Sequence, residues 1–187
     1  AMEQRLLGRS GLSVSVLSFG TMTVGGRDRF GKMGTLGVPE TTRILDICRE
    51  AGVTTIDTAD MYSAGAAEEI LGQAMKGRRH DFVLATKVFI RMGPGAHDIG
   101  LSRTHLISGC EASLKRLQTD YLDLYISHQP DMLVPIDETM RAFDDLVAQG
   151  KVRYVGCSNH ASWQAMKAVA TSDRLGLVRY ICQQVNY

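Results

Sequence analysis

Tyr121-Leu122-Asp123-Leu124-Tyr125-Ile126-Ser127-His128 carries the reading of the fold. Up to Ile126 the stretch is nearly continuous in apolar and aromatic residues. It is too short for a globular helix, and its run of apolar residues suits a strand buried on both faces, as in a parallel sheet covered by helices. Val53 to Asp57, Phe82 to Lys87, Val152 to Gly156 and Leu177 to Gln183 repeat the pattern, and Val16 to Phe19 supplies a first strand. Between these runs apolar residues return at helical spacing: Ile44, Leu45, Cys48 and Ala51; Leu106, Ile107, Cys110, Leu114 and Leu117; Met140, Phe143, Leu146 and Val147. Gly52, Gly77, Gly150 and Gly176 stand where helices should end, since a residue without Cβ enters a left-handed cap freely. Pro39, and Asp137 with Glu138, suit helix starts. The strand–helix unit recurs at about 30 residues, the length a parallel crossover needs. Ahead of it all, the two short apolar pieces in Leu6-Leu7-Gly8-Arg9-Ser10-Gly11-Leu12-Ser13-Val14 predict a hairpin.

Composition narrows the function classes. Lys and Arg total 21 against 20 Asp and Glu, a formal net charge of +1. That leaves no summed positive field for a nucleic-acid backbone or an anionic membrane. No apolar run approaches the ~20 residues of a membrane span, and no basic-then-apolar leader opens the chain. The four cysteines, Cys48, Cys110, Cys157 and Cys182, show no metal spacing and fit structural roles in a reducing cytoplasm. Ala1 before Met2 reads as a residue left by cloning. The expectation is one domain over 1–187.

Two architectures accommodate this order: an open doubly wound sheet and a closed (βα)8 barrel. The open sheet calls for Gly-x-Gly-x-x-Gly after its first strand, and the sequence has none. Gly25-Gly26, Gly31 and Gly34 instead suggest a mobile surface loop from Thr23 to Val38. Six units, in turn, are too few to close an eight-stranded barrel of ~250 residues.

The informative feature is what stands at the C-terminal end of each strand. There lie Asp57 with Tyr62 in the following loop, Lys87, His128, Ser158-Asn159, and Gln183-Gln184. In a barrel such ends share one mouth. A phenol donates a proton at neutral pH, and a neighbouring ammonium is expected to lower its pKa by stabilising the phenolate. A carboxylate keeps the ammonium charged, and an imidazole orients a substrate oxygen. This set stabilises charge growing on a carbonyl oxygen as hydride reaches its carbon, which implies a nicotinamide cofactor because no side chain supplies hydride. Ser158, Asn159 and Gln184 could bind the carboxamide.

Taken singly, each residue has a plainer reading. Asp57 could cap a helix, Lys87 could be solvated, Tyr62 could be a surface aromatic, and His128 could be a turn residue. Ser158-Asn159 could cap the helix bearing Trp163. His80, His97, His105 and His160 read as surface residues. Neither a Gly-x-Ser-x-Gly elbow nor His-Glu-x-x-His is present, which leaves hydrolase chemistry unsupported.

The chain resembles the aldo-keto reductase superfamily, particularly its bacterial and potassium-channel β-subunit-like branch. The matching stretches are Ser18-Phe19-Gly20-Thr21-Met22, Ile56-Asp57-Thr58-Ala59-Asp60-Met61-Tyr62, Glu68-Glu69-Ile70-Leu71-Gly72, Ala85-Thr86-Lys87-Val88, Ser113-Leu114-Lys115-Arg116-Leu117 and Gly156-Cys157-Ser158-Asn159-His160. The resemblance implies a TIM-type (βα)8 barrel whose bottom is plugged by the hairpin, with only about six units present here. It implies Asp57, Tyr62, Lys87 and His128 as a catalytic tetrad with Tyr62 the general acid, and Asp57 also close to cofactor. Gly20, Thr21 and Met22 would lie near the nicotinamide end, with Ser158, Asn159 and Gln184 on its carboxamide. The implied function is NADPH-dependent reduction of a small carbonyl compound in the cytoplasm. The alternative is a cofactor-binding regulatory or scaffold subunit with negligible turnover. Assembly into a homo-oligomer stays open.

Two departures stand out. Ser63 follows the tyrosine where the family usually has Gly, a change expected to alter a loop and little else. The family's last two strands, its nicotinamide-stacking aromatic and its basic grip on the 2′-phosphate have no counterpart in this sequence. Preference for NADPH therefore comes from the resemblance alone, and the expectation is that the intact protein is longer and that 1–187 by itself turns over nothing.

Overall fold

The computed structural model describes residues 2–186; Ala1 and Tyr187 lie outside them. Strands β1 (Gln4–Leu6) and β2 (Ser13–Ser15) form the antiparallel hairpin. Then come β3 (Ser18–Gly20), α1 (Val38–Ala51), β4 (Thr55–Asp57), α2 (Ala66–Ala74), β5 (Val83–Val88), α3 (Arg103–Leu117), β6 (Leu122–Ser127), α4 (Ile136–Ala148), β7 (Val152–Ser158), α5 (Ser162–Leu175) and β8 (Tyr180–Gln184). Strands β3 to β8 make one parallel sheet in chain order. That order, with every helix returning on the same side, gives a curled half-barrel of six strands and five helices. Among the described residues the outer strands β3 and β8 do not pair with each other.

Each strand divides its side chains between two faces, as the two-residue period requires. Ile56, Leu84, Val88, Tyr125 and Val155 point outward into the layer shared with the helices, where Leu45, Leu71, Leu106, Leu117, Met140, Phe143 and Leu146 complete the main core. Phe143 meets Tyr125 and Tyr180 edge to face, with ring centroids 5.8 Å and 5.9 Å away. Ala85, Leu124 and Ile126 face inward, against Leu7 of the hairpin and Cys182. Ser15 accepts from the backbone of Thr54 and Thr55 at 3.1 Å, which ties the hairpin to the entry of β4, the end of the sheet opposite the strand termini that carry the polar residues.

Helix ends follow the glycine punctuation in part. Gly52 and Gly176 are left-handed caps. Gly77 and Gly150 are left-handed too, but each lies beyond its helix, whose cap is Met75 or Gln149. Helix α3 ends on Gln118 at φ 53°. Gly72 serves packing: a Cβ there would sit 2.6 Å from the Arg116 carbonyl oxygen, so its absence lets α2 lie directly on the end of α3.

The connection from Thr23 to Val38 departs from a loose surface loop. A 3-10 turn forms over Asp28–Lys32, Val24 bridges Leu36, and Phe30 is buried. The apolar residues among the glycines account for this, since Val24, Phe30 and Leu36 pack on Ala59, Tyr62 and Ala67.

Candidate active site

Register puts the polar strand ends at one rim. Gly20 pairs with Asp57, Asp57 with Ala85, and Lys87 with Ile126. Asp57 and Lys87 both face inward, with Lys87 two residues nearer the mouth than the partner of Asp57. Its Nζ donates to both carboxylate oxygens of Asp57, at 2.7 Å and 2.8 Å, and to the Thr58 carbonyl at 2.8 Å. The hydroxyl of Tyr62 stands 3.4 Å from the same Nζ. His128 follows β6, and its ring lies edge-on to Tyr62 with centroids 6.1 Å apart. The Asp57 carboxylate and the Tyr62 phenol thus meet the Lys87 ammonium, and the His128 ring stands against the phenol.

The plainer readings of Lys87, Tyr62, Asp57 and Ser158-Asn159 fail on geometry, while His128 does stand in the bend that follows β6. Lys87 is only 2% exposed and Tyr62 7%. Asp57 serves Lys87 rather than a helix. Ser158-Asn159 does not cap α5, whose N-cap is Ala161, with Gln164 Oε1 accepting from its N–H. His105 and His160 prove buried instead of lying on the surface. His160 Nδ1 sits 2.8 Å from the Ser158 carbonyl, while His105, in the first turn of α3, is buried beside His97 and Asp98 of the preceding loop.

The Tyr62 phenol departs from expectation in sign. Burial pushes its pKa above the ordinary value, and the Asp57 and Asp60 carboxylates add to the rise. The ammonium does not reverse this because Asp57 holds it more closely than the phenol does. Burial pulls the Lys87 pKa down, with Asp57 opposing. His128 is lowered to about 4 by burial and by the Lys87 charge. At neutral pH the site therefore holds a protonated phenol and a neutral imidazole. His128 Nδ1 is buried without a partner. An unpaired acceptor is the cheaper state, which leaves the ring proton on Nε2.

The remaining predicted residues ring this centre. Thr21 is buried, its hydroxyl donating to Thr58 Oγ1 at 2.7 Å and its N–H to the Asp57 carbonyl at 3.0 Å. Met22 is exposed. Gly20 has open space where a side chain would stand, room for a flat ligand to lie on the backbone. Asn159, at φ 58°, spends both Nδ2 hydrogens on the His128 carbonyl at 3.0 Å and Ser158 Oγ at 3.1 Å. Its Oδ1 stays available as an acceptor. Gln184 Nε2 donates to Asp57 Oδ2 at 3.3 Å, leaving its Oε1 and second amide hydrogen. Ser158 Oγ is committed to the Gln184 carbonyl at 3.0 Å. A primary carboxamide needs one donor and two acceptors; Asn159 and Gln184 supply that set, so these residues fit a nicotinamide.

Single-sequence reasoning missed a buried charged group behind the phenol. Glu68 on α2 is wholly buried, accepting from Thr86 Oγ1 at 2.5 Å and from Arg116 Nε at 2.7 Å. Asp60 is 1% exposed and neither carboxylate oxygen has a hydrogen-bond partner. Burial, then Glu68, raises its pKa well above the carboxylate range, while Arg116 and Lys87 pull it down. The only sequence signal was placement: Asp60 lies three residues beyond Asp57, and Glu68 three before the apolar Leu71. Among the described residues no three metal-ligating side chains converge, and no helix is long and apolar enough to cross a membrane.

Residues 16–187 match the model of the Aldo/keto reductase family. Two curated relatives, each described as a probable voltage-gated potassium channel subunit beta, align with all of the chain: one from Arabidopsis thaliana at 44% identity and one from Oryza sativa subsp. japonica at 42%. The chain covers 55% of either relative, about half their length.

Proposed function

The chain belongs to the aldo/keto reductase family, and on that footing we propose that it is an NADP(H)-dependent reductase of aldehydes or ketones, with Tyr62 the general acid. The observation that carries the reading is the buried Lys87 ammonium, shared between the Asp57 carboxylate and the Tyr62 hydroxyl. A bound nicotinamide would supply the hydride.

Tyr62 holds its proton until a carbonyl oxygen beside it gains negative charge. Proton transfer then leaves a phenolate 3.4 Å from Lys87 Nζ, where the ammonium offsets the charge that burial disfavours. Asp57 keeps that ammonium charged and pointed. His128, neutral, donates from Nε2 to the same substrate oxygen and orients it. Asn159 and Gln184 would hold the carboxamide of a bound nicotinamide, with Gly20, Thr21 and Met22 nearby.

A second reading rests on the descriptions of the two relatives, which name channel subunits. In it the chain binds the nicotinamide cofactor with negligible turnover and acts through a protein partner. Calorimetric titration of NADPH into residues 1–187 and into the full-length protein, followed by a panel of aldehydes and ketones, separates the two. Binding with carbonyl-dependent NADPH oxidation by the full-length protein supports the reductase. Tight binding without oxidation supports the subunit, and no binding by either form sinks both.

A further inference from the structure

Ser63, next to the proposed acid, occupies an unusual backbone position. It and Ala64 both stand at φ 51°, and Gly65 follows at φ 91°. Left-handed geometry is costly for residues with a Cβ, so a run of this kind must be held by its surroundings. Ser63 is wholly buried, and its hydroxyl makes two bonds that close on the connection between β3 and α1: it donates to the Val24 carbonyl at 2.8 Å and accepts from the Gly26 N–H at 3.0 Å. Gly25, between those contacts, lies so close that a Cβ on it would be 2.8 Å from Ser63 Cβ.

The grip falls at the neck of the connection. Val24 bridges Leu36 and Gly25 N–H donates to the Leu36 carbonyl at 2.9 Å, so holding residues 24–26 holds both ends at once. Beyond the neck, Phe30 rests on the Tyr62 ring with centroids 5.7 Å apart. Arg29 spans Phe30 and Met61, its guanidinium 5.3 Å from the ring centroid.

We infer that Ser63 is a positioning residue: its hydroxyl clamps the 24–37 connection onto the active-site rim, and through Phe30 fixes both the Tyr62 ring and one wall of the substrate mouth. The substitution of Ser for Gly after the tyrosine is thus a device, not a neutral loop change. The kinetic consequence rests on the reductase reading; the clamp itself does not.

Ser63→Ala isolates the hydroxyl, because Ala64 shows that alanine adopts this backbone geometry. Arg27, Arg29 and Lys32 are exposed within the connection, which makes limited trypsin digestion a direct gauge of its release. In Ser63→Ala, cleavage after these three residues should speed by about tenfold, the scale of two lost hydrogen bonds, while cleavage after Arg174 in α5 keeps its rate. In the full-length protein kcat for an aromatic aldehyde should fall by about tenfold as the acid loses its fixed ring, KM should rise as the mouth loses its wall, and NADPH affinity should hold. Phe30→Ala should do the same, and the double variant should be no worse than Phe30→Ala alone. Unchanged cleavage in the connection, or faster cleavage everywhere including Arg174, overturns the clamp. Additive kinetic losses in the double variant overturn its action through Phe30. If the wild-type protein oxidises no NADPH with any carbonyl, the reductase reading fails while the digestion still decides the clamp.

Discussion

Gln184 on β8 donates to Asp57 on β4 at 3.3 Å, although four strand spacings separate them in the sheet. In a flat sheet that interval would be about 19 Å. The contact therefore measures the curl that brings the far strands to one rim, and it joins the proposed carboxamide site to the carboxylate that holds Lys87. Removing either group loosens both halves of the site.

Tyr62→Phe deletes the proton and little else, since the ring stays packed on Phe30. Turnover with an aldehyde panel should fall at least about 100-fold, as for loss of a general acid, while NADPH affinity is kept. Wild-type rates in this variant would remove Tyr62 from the chemistry.

Asp57→Asn leaves the Lys87 ammonium buried without its counter-charge. Breaking one side of a buried pair costs about 3 kcal/mol or more, and urea denaturation should show a loss of that order. The same change removes the largest of the charges that oppose the effect of burial on Lys87, so the lysine loses its proton at lower pH. A variant as stable as wild type would mean that solvent, and not Asp57, compensates the charge.

His128 titrates at about 4 in the fold against an ordinary 6.5. A histidine lowered on folding is bound by fewer protons in the native state, so its contribution to stability is present above 6.5 and lost as pH falls through about 4. Denaturation midpoints of wild type should drop across that window more steeply than those of His128→Gln. Parallel curves for the two would show that His128 is not held neutral by the fold.

Asp60 gives the opposite sign. Its folded pKa is raised above the unfolded value, so the native state binds the extra proton and stability falls as pH rises from the unfolded pKa through the folded one. Glu68 on α2, Arg116 on α3 and Lys87 on β5 are the charges around it. Asp60→Asn is isosteric and cannot ionise; it should be more stable than wild type at pH 7 and lose that advantage at pH 3 to 4. A variant less stable at both would mean an ionised, paired Asp60.

The strands and the polar residues closing them were legible because period and strand-end position are local properties. The apolar run through Ile126 announces β6, and Asp57, Lys87 and His128 fall where three successive strands end. What was illegible depends on distant partners. Nothing near Asp60 in the sequence says that α2 and α3 close over it, and glycine content hid the Phe30 anchor of the first connection. The sign of the Tyr62 shift turned on how deeply the phenol is buried, with the Asp57 and Asp60 carboxylates adding to the rise, and spacing supplies neither.

Asn159→Ala tests the carboxamide site but strikes two contacts together. The side chain that offers Oδ1 also ties the His128 carbonyl through Nδ2, and φ 58° suits Asn better than Ala. Asn159→Gly keeps the backbone at ease and removes the amide alone. If Asn159 binds cofactor, both variants should weaken NADPH binding by about tenfold, the worth of one or two hydrogen bonds, with glycine no better than alanine. If glycine restores affinity, the loss in alanine came from backbone strain moving His128, and the carboxamide contact would rest on Gln184 alone.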